Sequence, residues 1–220
     1  MTISHHPGEE LLLDYAAGSL AETWSLAVAA HLALCPSCRR TVNEFESVGG
    51  HLVGDVAPEP VEESLFESIV AATISEDNDI APARGLADSV DPNPILPEPL
   101  RSYLGGDVNS VKWQRLGFGA YQCLVPTEDD GTTARLLRIP AGRPVPSHSH
   151  GGLELTLVLS GAFSDSTGTY RRGDLQEADE SIDHQPYATL GEDCICLAVT
   201  DAPLRFKSLG ARMVQPLIGI

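Results

Sequence analysis

The sequence predicts an α+β protein in which a small all-α domain is followed by an all-β domain. Residues 9–75 place apolar side chains at helical spacing. From about residue 100 the pattern becomes short alternating runs, such as "LELTLVLSGAF", separated by Gly, Pro and Asp. Runs of this kind are typical of a β sandwich or barrel.

A stretch poor in periodicity separates the two patterns. Residues 75–99 contain five prolines, which favours a linker or an extended arm. We therefore expect a helical domain over 1–80, a linker over 81–99 and a β domain over 100–220.

The first two helices are predicted from their apolar runs and their boundaries. The segment "EELLLDYAAG" stops at Gly18. The next one begins with Ser19, followed three residues later by Glu22, the pattern of a capping box. Its Ala- and Leu-rich body favours helix.

Two further helices follow. Pro36 is tolerated in the first turn of the third helix, and Gly49 and Gly50 are expected to end it. The fourth, "EESLFESIVAATI", is amphipathic. Its apolar face is formed by Leu65, Phe66, Ile69, Val70 and Thr73.

The charge is strongly acidic and unevenly distributed. The net charge is −17, and residues 1–80 hold 14 of the 31 acidic residues but only 2 of the 14 basic ones. Phosphates would repel such a surface, so direct nucleic-acid binding is excluded for this part. A basic protein that itself binds nucleic acid is a suitable partner; otherwise the charge only keeps the domain soluble.

The composition indicates a protein of the reducing cytoplasm. No stretch reaches the ~20 apolar residues that a bilayer span needs, and "MTISHHPGEE" lacks the basic and apolar regions of a signal peptide. Five cysteines, two pairs of them closely spaced, do not resemble a secreted disulfide framework.

The segment "HLALCPSC" predicts a first metal site. His31, Cys35 and Cys38 have the spacing i, i+4, i+7, which places them on one side of a helix. Cys-x-x-Cys at a helix start presents two thiolates to a zinc ion, which takes four ligands. A redox dithiol would need a βαβ context, and two buried cysteines beside a surface histidine is the other alternative.

The fourth ligand must come from another segment. His6 lies just ahead of the first helix, where the chain could fold over the site. His5 is its near-equal rival, whereas His51 lies about three turns beyond Cys38.

This arrangement resembles the zinc-binding anti-sigma domain family. The resemblance implies zinc ligands His6, His31, Cys35 and Cys38 in a helical domain that wraps a group IV (extracytoplasmic-function) sigma factor. It also implies that Leu65, Phe66, Ile69 and Val70 contact the sigma factor. The alternative for that face is packing on the domain's own helices, in which case it would be buried.

The segment "GRPVPSHSHGGLELTLVLSG" is similar to the first motif of the cupin family, G-x5-H-x-H-x3-E-x6-G. The five fixed positions are Gly142, His148, His150, Glu154 and Gly161. His148 and His150 are two apart, so in a strand they face the same way. Two imidazoles and a carboxylate suit Zn, Fe, Mn or Ni.

Cupins complete such a site with a histidine from a later strand, and the resemblance implies His184 for this role. Residues 173–184 match the second cupin motif only loosely: the leading Gly-Asp is present and the usual Pro-x-Gly is not. The resemblance thus implies a jelly roll with a metal held by His148, His150, Glu154 and His184.

The combination resembles the ChrR-type anti-sigma factors, including the segments "CICLAVTDAPLRF" and "VQPLIGI". The resemblance implies a cytoplasmic regulator, not an enzyme, that inhibits a group IV sigma factor and releases it on singlet-oxygen-type stress. The cupin would be the sensing half, with zinc or another divalent transition metal and room for a small-molecule ligand. The alternative is a metal-dependent cupin enzyme, a dioxygenase or isomerase, carrying a structural zinc domain.

Overall fold

The computed structural model describes residues 2–62, 64–75, 93–117 and 119–207, and its helices precede its strands. The helices are α1 (Glu9–Ala16), α2 (Glu22–Leu34), α3 (Pro36–Gly54), α4 (Ser64–Ser75) and α5 (Glu98–Leu104). The strands are β1 (Gln114–Gly117), β2 (Ala120–Leu124), β3 (Thr133–Ile139), β4 (His148–Ser149), β5 (Glu154–Ser160), β6 (Ala162–Ser164), β7 (Thr169–Arg171), β8 (Leu175–Ala178), β9 (Asp183–His184), β10 (Tyr187–Ala188), β11 (Cys194–Thr200) and β12 (Arg205–Phe206). The predicted fold class is confirmed.

Within the described residues, the paired strands run antiparallel and form three sheets. The large sheet has the order β1-β2-β3-β11-β5-β8, and two small sheets have the orders β10-β6-β7 and β12-β4-β9. None of the described helices is long and apolar enough to cross a membrane.

The predicted linker lies largely outside the described residues, as does the segment 214–220. The part of the linker that is described, residues 93–99, leads into α5, a helix that the proline-rich composition did not predict. Leu96 and Leu100 of this region are fully buried. The domain boundaries therefore stay a prediction.

The predicted capping box of α2 is wrong. The helix begins at Glu22 and has no side-chain cap of its own, while the Ser19 hydroxyl donates to the Asp14 carbonyl at 3.0 Å. The cap comes from a distant loop: the Asp129 carboxylate accepts hydrogen bonds from the Glu22 and Thr23 amides at 3.2 and 2.6 Å. A carboxylate at a helix N-terminus satisfies free amides and complements the helix dipole.

The predicted end of the third helix is also wrong. Gly49 and Gly50 lie inside α3, which continues to Gly54. A glycine in a helix costs only about 1 kcal/mol relative to alanine, so two of them need not stop a helix whose backbone hydrogen bonds continue.

The helices and the large sheet share one core. Leu26, Ala27 and Ala30 of α2 pack in the same cluster as Leu155 and Leu197 of the central strands. The opposite side of α2 joins a second cluster through Val28 and Leu32. This explains why α2 is apolar on more than one face, since a helix packed on two sides is hydrophobic nearly all round.

Alternation along the central strands separates this core from the interior of the β half. In β5, Leu155 and Leu157 face the helices, whereas Glu154 and Thr156 line an internal cavity. In β11, Leu197 faces the helices and Cys196 lines the cavity. A strand covered on both faces is buried along its whole length, as both strands are.

Candidate metal centres

The junction of α2 and α3 positions three side chains of the first centre. His31 lies in the last turn of α2, and Cys38 lies in the first turn of α3. Cys35 stands between the helices in an extended conformation, φ −111° and ψ 100°. Pro36 imposes this, because a residue before proline is disfavoured in the helical region.

The segment ahead of α1 brings His6 to these three residues. His6 Nδ1 lies 3.4 Å from Cys35 Sγ and 3.3 Å from Cys38 Sγ, and His31 Nε2 lies 3.3 Å from Cys38 Sγ. The four ligand atoms are all within 4.8 Å of one another. Zinc bonds to sulfur and nitrogen of about 2.0–2.3 Å give tetrahedral edges of about 3.5 Å, so the set fits a zinc ion. We call it the helical site.

The two rival histidines lie elsewhere. The His5 ring packs against Tyr170, with ring centroids 4.3 Å apart, and His51 is exposed on α3. Of the three candidate histidines, the structure places His6 beside the two cysteines, and its role as a ligand stays a prediction.

Burial shapes the protonation of the helical site. Burial lowers the pKa of His31 to about 4, so this imidazole stays neutral, which is the metal-binding form. Burial and the hydrogen bond with Cys35 raise the pKa of Cys38 to about 12. Burial also raises the pKa of Cys35, but hydrogen bonds from Ser37 and Cys38 outweigh it and the net shift is downward. The two shifts make Cys35 the more acidic thiol of the pair, and a bound cation must displace the proton of Cys38.

The second centre lies where two short strands pair. His148 of β4 is directly opposite His184 of β9, and His150 follows β4. His184 Nε2 lies 3.1 Å from His148 Nε2 and 3.2 Å from His150 Nε2, and all three rings are buried. We call this the cupin site.

The Nδ1 atoms of two of these histidines face acceptors. His148 Nδ1 donates to the Pro146 carbonyl at 2.9 Å, and His184 Nδ1 donates to Asp165 Oδ2 at 2.6 Å. The Nε2 atoms of His148 and His184 then each carry a lone pair directed at their neighbours. Three ring nitrogens lying this close together in a buried site suit a cation, and imidazole suits Zn, Cu, Fe or Ni.

Glu154 lies behind His150. Its Oε2 is 3.5 Å from His150 Nδ1, a charge contact too long to be a good hydrogen bond, and its Oε1 accepts from Thr156 at 2.7 Å. Burial raises the pKa of this carboxyl, but the histidines and Thr156 outweigh it and the net shift is downward. The group of ligand atoms that lie close to one another consists of the three histidine nitrogens and does not include Glu154. Its role as a fourth ligand therefore stays a prediction.

Asp165 is a site residue that sequence reasoning missed. Its carboxylate also accepts from Gln176 at 2.8 Å. Burial raises its pKa, but hydrogen bonds from Thr167, Gln176 and His184 bring it down to about 2. Asp165 therefore stays ionised and fixes the His184 tautomer. In the sequence "SDSTG" indicates only a turn.

A cavity of about 110 Å³ adjoins the cupin site. Its walls are mainly apolar, with Phe163 and Phe206 among them, and Arg135 and Cys196 also face it. Arg135 is buried and donates to Gln122 at 3.0 Å.

The apolar face predicted for partner binding is largely exposed. Leu65, Phe66 and Ile69 of α4 are 43%, 75% and 54% exposed, and Val70 is half-buried. Such exposure is unlike that of a helix packed on its own domain.

Comparison with known proteins gives the chain its relatives. A family model described as the ChrR cupin-like domain matches residues 103–203. The anti-sigma-E factor ChrR of Cereibacter sphaeroides is 46% identical over 220 residues, the full length of both chains. In the crystal structure of Rhodobacter sphaeroides SigE in complex with the anti-sigma ChrR, one chain matches with a TM-score of 0.77 and 44% identity, covering 91% of this chain and 100% of that chain.

Proposed function

Because this chain belongs to the ChrR family of anti-sigma factors, we propose that it binds and inhibits a group IV sigma factor and releases it on oxidative stress of the singlet-oxygen type. The observation that carries the proposal is the 46% identity to an anti-sigma factor over the full length of both chains. Its structural relative is in a complex with a sigma factor. The chain is a regulatory protein, and we favour this function over the dioxygenase or isomerase alternative.

The sigma-binding surface we propose is the apolar face of α4. Phe66 and Ile69 lie about one turn apart on α4, and each exposes more than half of its surface. Apolar residues at this spacing are typical of a helix that binds in a partner's apolar groove. The acidic charge of residues 1–80 suits a basic partner and would speed its association.

The helical site is proposed to hold zinc that supports the sigma-binding domain. The cluster around it is small, with Leu12, Val28, Leu32 and Val42 as its buried aliphatic residues. A helical unit with so few core residues gains much of its folding free energy from a structural metal. In this proposal zinc ties the segment ahead of α1 to the α2–α3 junction.

The β half is proposed to be the sensing half. Its divalent metal would lie at the end of an apolar cavity of about 110 Å³, where an oxidant or a small organic product could reach it. When bound, such a metal supplies Lewis acidity or redox chemistry. The protein's own residues bury the three imidazoles, hold His184 through Asp165 and keep that carboxylate ionised.

The sigma-binding face is tested by a pull-down with the full chain. Phe66→Ser combined with Ile69→Ser should weaken sigma binding by at least tenfold, because interface aromatic anchors contribute about 2 kcal/mol or more. The matched control is Leu190→Ser, which alters an aliphatic side chain 88% exposed on the β half. Equal affinity of the α4 variant and the control would overturn this surface.

The sensing role is tested with a reporter driven by the sigma factor. Wild type should repress it and permit induction by light and a photosensitiser. His148→Ala with His150→Ala removes two of the ligands, so we expect repression to persist and induction to fail. Full induction in this variant would place sensing elsewhere.

Metal content provides an independent check. Elemental analysis should give about two ions per chain, with zinc in the helical site. Replacing both cysteines of the helical site by serine should leave one. A single ion unaffected by that change would contradict the helical site.

A further inference from the structure

The segment ahead of α1 is bound to the β half before it reaches the helical site. The Ser4 and His5 amides both donate to Asp174 Oδ1, at 2.7 and 3.0 Å. The Leu175 amide donates to the His5 carbonyl at 3.1 Å. These residues thus lie along the start of β8, the edge strand of the large sheet, in the manner of an added strand.

The segment is also held on either side of these contacts. The Gly8 amide donates to Glu177 Oε1 at 2.7 Å. The Ile3 side chain packs over Gly173, where an added Cβ would lie 2.6 Å from Ile3 Cδ1. Gly173 also has φ +90°, so a side chain is doubly disfavoured in this turn.

His6 lies between these attachment points. Its ring reaches both cysteines at 3.3–3.4 Å, yet the residue itself is exposed. Apart from an edge-on contact with the His31 ring, at 5.8 Å between centroids, little packing holds so exposed a side chain. The backbone on either side of it therefore largely determines where the ring lies. That backbone is fixed by the β half, while the other three residues of the site come from α2 and α3.

We infer that the β half positions His6 in the helical site, and that Asp174 is the positioning residue through which it does so. Asp174 is 3% exposed. Within the described part of the chain no hydrogen bond joins it to the four ligand atoms, although its charge is close enough to His31 to affect the pKa of that ring. It acts on His6 by fixing the two backbone amides that precede it.

The same strand reaches the cupin site. Gln176, two residues beyond Asp174, donates to Asp165 at 2.8 Å, and Asp165 holds His184. A rearrangement of β8 would therefore bear on both sites. The regulatory meaning of this connection rests on the proposed function, whereas the positioning of His6 does not.

The test uses the full chain loaded with cobalt(II), whose thiolate charge-transfer absorption reports the helical site. Asp174→Ala should lower cobalt affinity there about tenfold, the usual effect of removing an outer-shell partner. Cobalt at the cupin site should be retained. Hydrogen exchange should show the Ser4 and His5 amides losing their protection. Glu180→Ala, an exposed change just beyond β8, should alter none of these.

A double-mutant cycle separates positioning from a general structural effect. In a His6→Ala background the segment has no ligand to position, so Asp174→Ala should cause no further loss of affinity. An equal tenfold loss in that background would overturn the inference. So would exposed Ser4 and His5 amides combined with unchanged cobalt affinity in the single variant.

A milder variant guards against a folding defect. Asp174 also accepts from the Arg171 amide at 2.8 Å, so its loss could disturb the turn. Glu177→Gln weakens only the exposed attachment at Gly8, and we expect a smaller, two- to threefold, loss that again disappears with His6→Ala. No loss with Glu177→Gln, in a chain whose Gly8 amide has become exchangeable, would contradict positioning. Neither assay contains a sigma factor, so failure of sigma binding would not affect them.

Discussion

Hydrogen bonds to Asp129 join α2 to the β half of the chain, and their contribution to stability can be measured. The Asp129 carboxylate, in the loop before β3, caps α2 by accepting from the Glu22 and Thr23 amides. It also accepts from the Thr23 hydroxyl at 2.6 Å and from the Thr132 hydroxyl at 3.3 Å. Asp129→Ala removes the acceptor for all four donors and leaves Thr23, which is fully buried, without this partner.

The expected cost follows from these contacts. Loss of an N-cap costs about 0.5–2 kcal/mol, and a hydrogen bond to a charged group contributes about 1.5–3 kcal/mol when well buried. Asp129 is only half-buried, so we expect Asp129→Ala to lower the free energy of unfolding by about 2 kcal/mol. Asp129→Asn keeps one acceptor oxygen and should cost about 1 kcal/mol.

The effect should depend on pH with a defined sign. Hydrogen bonds from Thr23 lower the pKa of Asp129 below its ordinary value; the bond from the hydroxyl has the larger effect and the bond from the amide the smaller. A lowered folded pKa means that the contribution is complete above the unfolded pKa of about 3.9 and is lost as pH falls through the folded pKa. The difference between wild type and Asp129→Ala should be constant from about pH 5 to 7 and shrink below about pH 4.

Urea unfolding followed by tryptophan fluorescence provides the assay. Trp24 and Trp113 both pack against the shared core, so the signal reports the contact between α2 and the sheet. Asp130→Ala, at the adjacent exposed position, is the matched control and should change stability by less than about 0.5 kcal/mol. Equal effects at the two positions would refute the capping argument.

Two more predictions concern the interior of the β half. Asp165→Asn removes the carboxylate that orients His184 and should weaken metal binding at the cupin site by about 10- to 100-fold. Competition with a chelator measures this affinity, and an unchanged affinity would contradict the orienting role. Cys194 and Cys196 are buried, and the hydrogen bond between them, with burial, raises the pKa of Cys196 well above its ordinary value. Both should resist alkylation at neutral pH in the folded chain and react on unfolding, as mass spectrometry would show; rapid labelling of either in the native state would disprove this.

Site residues that are close together in the sequence could be predicted from the sequence alone. His31, Cys35 and Cys38 lie within eight residues at a helix junction, and the local geometry of helices and of the residue before proline brings them together. The pair His148 and His150 likewise follows from its spacing in a motif. The change from helical to alternating periodicity near residue 100 was enough to predict the fold class, because periodicity reflects which face of each element is buried.

Features that join distant segments could not be read in this way. Ser19 and Glu22 match a capping box, yet Asp129, more than a hundred residues away, caps α2. Nothing local marks that aspartate, because a cap requires only an acceptor at the right point in space. The continuation of α3 through Gly49 and Gly50 could not be predicted either, because helix propensity is assigned residue by residue and does not include the surrounding structure.

The site residues divide in the same manner. The candidate ligand side chains can be predicted from residue type and spacing. Asp165 and Asp174 cannot, because in the sequence they are ordinary turn residues. Only the fold places Asp165 against His184 and Asp174 against the backbone before His6. Of the three candidate histidines, His6 lies beside the cysteines on a segment whose preceding backbone is bonded at the start of β8, and its role as a ligand stays a prediction. Residue type and short-range periodicity are properties of the chain, but a hydrogen bond between residues 170 positions apart exists only once tertiary packing has brought them within 3 Å.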